Sequence, residues 1–257
     1  GHRVIERIHA FMRRAEEGVC DRVVRTAHGT AMVTPSLPLV WQVNAIRVED
    51  PDARVHELSA LADEIQGGFG HRKLVMHDEQ LGARLAPQFA AAGWNVFRVL
   101  IMVRQRPPDR PPEPGAGGEV SRDVGAATLA AFRREQPFGW QDQAVRQLAE
   151  MDERYTRVLA ARDFASPPDD PACACRLYTH GGLGQVDEVG TLEARRRRGH
   201  ARAAVAAAAD AAAADGCERV FMVTDGADWP QQLYRSLGFD EIGATYEFLK
   251  LPVSSRP

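Results

Sequence analysis

The stretch with the most chemistry in this sequence is Arg195-Arg196-Arg197-Arg198-Gly199-His200-Ala201. It stands directly before an alanine-rich segment reaching Ala214, whose composition predicts a helix from about Gly199. A helix start carries partial positive charge and ordinarily attracts acidic residues, so a run of four arginines is unfavourable there on an empty helix. The unpaired N–H groups of the first turn form an anion site. Gly199 lets backbone approach a ligand closely, and the small Ala201 keeps the first turn uncrowded. Guanidinium groups beside such a cradle become favourable once phosphates pair with them through charge-assisted hydrogen bonds. The run therefore points to a polyanionic ligand, against the plainer reading of a solvated basic loop. Nucleic acid is disfavoured by a formal net charge of -3 and by the lack of interleaved aromatic residues.

The elements that must position this run can be read on both sides of it. Residues 172–180 and 183–192 alternate as two strands joined by Gly181-Gly182. After the helix, Asp215-Gly216 makes a C-cap, and 218–225 is an apolar run of strand length. Residues 228–238 read as a helix with Asp228 as N-cap, Pro230 in the first turn and Gly238 as the stop, and 239–251 close as a strand. Upstream, 124–135 and 143–162 read as two helices, with a turn at 167–171. The order is two helices, strand, strand, helix, strand, helix, strand: an α/β domain (α+β in some schemes) with helices on a mixed sheet.

Residues 104–120, rich in proline and then glycine, interrupt the chain as a linker, stiff first and flexible after. The half before it repeats the later order: strand 38–48, helix 52–68, strand 71–77, helix 79–93, strand 94–103. "PQFAAAGWNVFRV" aligns with "QQLYRSLGFDEIG", placing Gly93 on Gly238 and Trp94 on Phe239. The two halves read as a diverged internal duplication. Trp41, Trp94 and Phe97 are expected in the core.

The chain has 257 residues, 44% hydrophobic and 26% charged, which marks a globular protein. Cys20, Cys173, Cys175 and Cys217 form no metal-ligand spacing, so no metal site is expected and they read as small buried hydrophobes. Gly1 and His2 read as an appended scar. No leader or long apolar run is visible, so a cytoplasmic protein without a membrane partner is expected.

With its flanks, the arginine run resembles motif A of the GNAT acetyltransferases, Arg/Gln-x-x-Gly-x-Gly/Ala, here Arg196 to Ala201. "QQLYRSLGF" (231–239) is similar to motif B of the same family. Both motifs stand in order, one strand apart. The resemblance implies an acyl-CoA N-acyltransferase fold with a mixed, mostly antiparallel sheet. It implies acetyl-CoA as cofactor, transfer to a primary amine by direct attack in a ternary complex, and no nucleic-acid partner; a homodimer is left open. It divides the chain into a degenerate GNAT-like half (3–105), a linker (106–118) and a catalytic half (119–251).

Carried over residue by residue, Arg196, Arg197, Arg198, Gly199, His200 and Ala201 would hold the cofactor's phosphates. Val189, Gly190 and Thr191 would bond the pantetheine arm, and one of their amides would polarise the thioester carbonyl as an oxyanion-hole donor. Tyr234 would protonate the leaving thiolate. Glu188 would act as general base, with Asp187, His180 or no base as the alternatives. On a regular strand Asp187 and Glu188 face opposite sides, so only one could face the substrate. Phe138 and Trp140 would shape the acceptor site. The acceptor is open among a small metabolite, an amino sugar conjugate and a peptide or protein amine. A non-catalytic CoA-binding sensor or scaffold is the competing reading, and a longer acyl group a third.

The sequence departs from the pattern in two places. Ala227 stands where many family members carry a cofactor-contacting asparagine. The first half has "EDPDARVHE" at the motif A position and Phe89 at the motif B tyrosine, so it lacks both a phosphate loop and a hydroxyl acid.

Overall fold

A computed structural model describes residues 2–139, 141–227 and 230–251. The chain forms two compact units. The first takes residues up to Leu100, Asp225–Ala227 and the segment from Gly243 onward; the second takes Ile101–Thr224 and Asp228–Ile242. The two units therefore do not follow the linear division expected from the sequence, because the closing strand of the chain serves the first unit.

In the first unit, helix α1 (His2–Val19) precedes a hairpin, β1 (Arg22–Thr26) and β2 (Gly29–Val33). Then come β3 (Ala45–Val48), α2 (Val55–Gln66), β4 (Arg72–Met76), α3 (Glu79–Ala91) and β5 (Asn95–Arg104), the last ending in the second unit. The strand order is β1-β2-β3-β4-β11, where β11 is Phe239–Lys250. Among the described residues of this unit only β3 and β4 pair in parallel, as a helical crossover between them requires. β11 pairs antiparallel with β4 from Tyr246↔Met76 to Lys250↔Arg72. Ile46, Leu74 and Phe248 of the sheet bury against Leu58, Leu85 and Phe89 of the helices. Phe89 is fully buried, 5.2 Å from Trp94 and 4.5 Å from Phe248 between ring centroids. Trp94 is core as expected and Phe97 half-buried, but Trp41 is 41% exposed, because 41–43 form a 3-10 turn ahead of the short strand β3.

The second unit orders its strands β5-β10-β9-β8-β7-β6. These are β6 (Gly118–Val120), β7 (Ala160–Ser166), β8 (Cys173–His180), β9 (Leu183–Thr191) and β10 (Arg219–Asp225). Its helices are α4 (Arg122–Arg134), α5 (Asp142–Tyr155), α6 (His200–Ala214) and α7 (Pro230–Ser236). The second helix expected over 143–162 stops at Tyr155. Residues 160–166 are a strand instead, paired with β8 from Ala160↔Thr179 to Ser166↔Cys173. Their Ala and Arg favour helix, but pairing to a buried neighbour outweighs propensities of a few tenths of a kcal/mol each.

Successive residues of β8 face opposite sides, and their partners show which helices cover each. Leu177 shares a contact site with Ala212 of α6 at Gly184. Arg176 and Tyr178 turn the other way, where α4 and α5 lie (below). The segment 105–117 is tied down instead of free. Gln105 N–H donates to Gly238 O (2.9 Å), Asp109 N–H to Ser236 O (2.8 Å), and Ala116 O accepts from Ser166 Oγ (2.7 Å).

Candidate active site

Strands β9 and β10 run parallel, as crossover through α6 demands, but their pairing covers only Leu183↔Arg219 to Gln185↔Phe221. Beyond Gln185, β9 pairs only with β8 among the described residues. The two strands part just where β9 is irregular. A bulge shifts the β8/β9 register between Ala174 and Arg176, and Glu188 takes a left-handed φ of 58°. The bulge bends β9 away from its neighbour. It exposes the backbone edge of Val189, Gly190 and Thr191 at the mouth of the split. Gly190 is buried there because a Cβ would stand 2.5 Å from the Phe132 ring of α4.

The chain leaves β9 with Leu192 N–H donating to Ala172 O (2.8 Å), makes one 3-10 turn at Glu193–Arg195, and enters α6. Two residues before the helix are left-handed: Arg197 at φ 65° and Gly199 at φ 80°. Left-handed positions gather backbone N–H groups around an anion. No side chain caps α6, and the N–H groups of Arg197, Arg198 and Gly199 make no hydrogen bond among the described residues. A Cβ on Gly199 would meet nothing within 4 Å, so open space adjoins the cradle.

The arginines divide into two kinds. Arg195 is held by the turn before β8, its Nη1 2.9 Å from Asp170 O and 3.2 Å from Asp170 Oδ2. Arg196, Arg197 and Arg198 are exposed, and their side chains make no ion pair or hydrogen bond among the described residues. The His200 side chain turns inward: its Nδ1 lies 3.0 Å from Ser166 Oγ, whose own hydrogen goes to Ala116 O, so Nδ1 donates. Burial, then Arg195 and Arg198, push its pKa down and keep it neutral. His200 thus offers the site its backbone, while its ring anchors the loop. An open, glycine-led helix start with three unpaired guanidiniums fits the phosphates of a CoA thioester.

Tyr234 lies on α7 and is 7% exposed. A helix this short is unstable alone and needs tertiary support. Arg106 Nη2 donates to Arg235 O (2.8 Å) and Arg202 Nη1 to Ser236 Oγ (2.6 Å), and Gly238 at φ 95° turns the chain out of the helix.

At the bulge, both carboxyls of β9 fall on the face covered by α4 and α5. Asp187 and Glu188 each feel Asp152 of α5 and Arg133 of α4, contrary to the regular alternation expected of a strand. The left-handed Glu188 breaks that alternation. Arg133 chelates Asp152 (Nη1–Oδ2 2.6 Å, Nη2–Oδ1 3.2 Å) and reaches Glu188 Oε1 with the same Nη2 at 3.4 Å. Tyr178 OH donates to Glu188 Oε2 at 3.2 Å. Burial, then the neighbouring Asp152 carboxyl, pushes the Glu188 pKa well above the usual range, while burial raises Asp187. A carboxyl raised in this way is a stronger base than an ordinary glutamate. His180 sits exposed at the opposite end of the β8/β9 hairpin, paired with Leu183, away from this cluster.

Phe138 is 37% exposed in the loop after α4, and Trp140 lies outside the described residues. Sequence reasoning missed Arg133, Asp152, Arg176 and Tyr178. They come from three elements, α4, α5 and β8, and match no local motif. Among the described residues no group of three His, Cys, Asp or Glu side chains could hold a metal ion, and no helix is long and apolar enough to cross a membrane.

A mixed sheet whose parallel pair splays beside a glycine-led helix start defines an acyl-CoA N-acyltransferase fold. Residues 126–239 match the family model described as Acetyltransferase (GNAT) family, so this segment carries a domain of that family. Three solved structures show how far the likeness extends. A functionally unknown conserved protein from Staphylococcus epidermidis is 15% identical with a TM-score of 0.62, covering 90% of this chain and 93% of that one. A GCN5-related N-acetyltransferase from Kribbella flavida is 19% identical with a TM-score of 0.60, covering 95% of each. A tandem GNAT protein from the clavulanic acid biosynthesis pathway, solved without AcCoA, is 16% identical with a TM-score of 0.52, covering 91% of this chain and 83% of that one. At these identities the likeness is one of fold, and it spans both halves. No curated protein matches the chain.

Proposed function

We propose that the second half catalyses acetyl transfer from acetyl-CoA to a primary amine by direct attack in a ternary complex. The observation that carries this reading is the parting of β9 from β10 at Glu188, beside the open helix start at Gly199. Acetyl-CoA supplies the acetyl group activated as a thioester. The backbone from Arg197 to Ala201, with Arg196, Arg197 and Arg198, would hold its phosphates. The free edge at Val189, Gly190 and Thr191 would hold the pantetheine arm, with one N–H aimed at the thioester carbonyl oxygen. Glu188 takes a proton from the incoming ammonium, since only the neutral amine is nucleophilic. Tyr234 returns a proton to the departing sulfur. Phe138, and the sequence reading's Trp140, would line the acceptor side.

The first half lacks this equipment. No left-handed glycine precedes α2, whose N-cap is Arg54 at φ -109°, and the motif B position holds the buried Phe89. We assign it a structural role without acetyl transfer.

The test is acetyl-CoA titration calorimetry followed by thiol release across an amine panel. The reading expects binding in the wild type and turnover with at least one amine. Tyr234→Phe should slow that turnover by roughly 10²-fold while leaving acetyl-CoA affinity unchanged. Tight binding with no thiol release from any amine would instead mark a CoA-binding module without chemistry.

A further inference from the structure

The cluster beneath the β9 bulge holds more than the base candidate needs for support. Four carboxyls, Asp152, Asp163, Asp187 and Glu188, meet three guanidiniums, Arg122, Arg133 and Arg176. Asp163 binds two cations closely: Arg122 Nε at 2.8 Å and Arg176 Nη2 at 3.1 Å. Asp187 lies across the strand pair from Arg176. That leaves Asp152 and Glu188 to divide Arg133, and the division is unequal. Asp152 takes both guanidinium nitrogens, and Glu188 keeps one longer contact on the nitrogen Asp152 already uses. Arg176 is no substitute, standing 4.0 Å from Glu188 Oε2. Asp152 and Arg176 are 3% and 1% exposed, so water cannot screen the excess negative charge.

Two carboxylates on one guanidinium nitrogen in such a place cannot both stay ionised cheaply. We propose that Asp152 is a positioning residue for Glu188: locked by Arg133, it shares one proton with Glu188 and so sets the pH at which Glu188 can accept a proton. The asymmetry decides which carboxyl carries it. Asp152 holds the cation through both its oxygens; Glu188, with Tyr178 OH and one longer contact to a shared nitrogen, is the carboxyl that holds the proton, and burial and then Asp152 push its pKa well above the ordinary glutamate value. The groups facing Glu188 come from every element around it: Arg133 from α4, Asp152 from α5, Arg176 and Tyr178 from β8, and Asp187 from β9. The functional meaning rests on the reading of Glu188 as base, because a base matched to the working pH transfers protons most efficiently.

The experiment is a pH titration of the full chain carrying carboxyl-¹³C Glu and Asp, read by NMR, with the Glu188 signal assigned by its loss in Glu188→Gln. In the wild type, Glu188 should titrate above the ordinary glutamate midpoint, and the Asp152 carboxyl carbon should inflect at that same pH. Asp152→Asn should lower the Glu188 midpoint by about one pH unit or more, because it removes the competing charge and releases Arg133. A purely structural Asp152 would lower thermal stability and leave that midpoint in place. An unmoved midpoint in Asp152→Asn overturns the proposal. So does a flat Asp152 signal through the Glu188 transition, a titration of the wild type that does not depend on Asp152→Asn keeping its fold. If the coupling is present but Glu188→Gln turns over an amine normally, the base assignment fails and the shared proton stands.

Discussion

Gly199→Ala separates the phosphate cradle from ordinary backbone strain. The residue is left-handed at φ 80°, and an added Cβ would meet no protein atom within 4 Å. In the ligand-free protein the methyl therefore costs only the left-handed conformation, about 1 kcal/mol. For a chain of this size that lowers the melting temperature by roughly 2–4 °C. Binding should suffer more, because the open space is where a phosphate oxygen would approach the N–H groups. Losing one hydrogen bond to a charged group costs about 1.5–3 kcal/mol, so acetyl-CoA affinity should fall by at least about tenfold. Gly216 supplies the control: it ends α6 at φ 89°, also with nothing within 4 Å, so Gly216→Ala carries the same strain far from the cradle. Thermal melts of both apo variants and calorimetry with acetyl-CoA at constant ionic strength complete the comparison. If both variants lose the same stability and bind acetyl-CoA with wild-type affinity, the open helix start is not the phosphate site.

Two further outcomes follow from the same local geometry. Arg195→Ala should lower the apo melting temperature, since it frees the turn at Asp170. Alanine at Arg196, Arg197 or Arg198 should leave that temperature alone and weaken acetyl-CoA binding, more at low salt than at high, as melts and titrations at two ionic strengths would show. Gly190→Ala drives a methyl into the Phe132 ring and should destabilise the protein by about 1–3 kcal/mol in a denaturant titration, whereas Phe132→Ala/Gly190→Ala should lose less than the two single changes combined.

Much of the second half was legible before its structure. Repeating apolar residues, Gly199 and Gly238 placed strands 183–191 and 219–225 and helices 200–214 and 230–236 within a few residues of where they lie. The hairpin of β1 and β2 and helix α1 escaped that reading, as did the short edge strand β6 and the strand β7. Arg-Asp-Phe-Ala-Ser in β7 carries no period of its own, and only pairing with β8 makes it a strand. The proline- and glycine-rich connection looked free because composition reports what a segment can do alone. Its bonds to Gly238, Ser236 and Ser166 depend on elements up to a hundred or more residues away.

The site divides in the same manner. Sequence alone determined the helix start, its glycine and the accumulation of positive charge, because cap chemistry and phosphate recognition are local along the chain. Tertiary structure decided which arginine is held and which are free, since Asp170 meets Arg195 only after β8 folds back beside the loop. It also decided the state of Glu188. A bulge turned that carboxyl and its neighbour to one side, and Arg133, Asp152 and Tyr178 converged on it from three other elements. Charge sharing among groups far apart in the chain depends on distance in space, and no pattern within a segment encodes it.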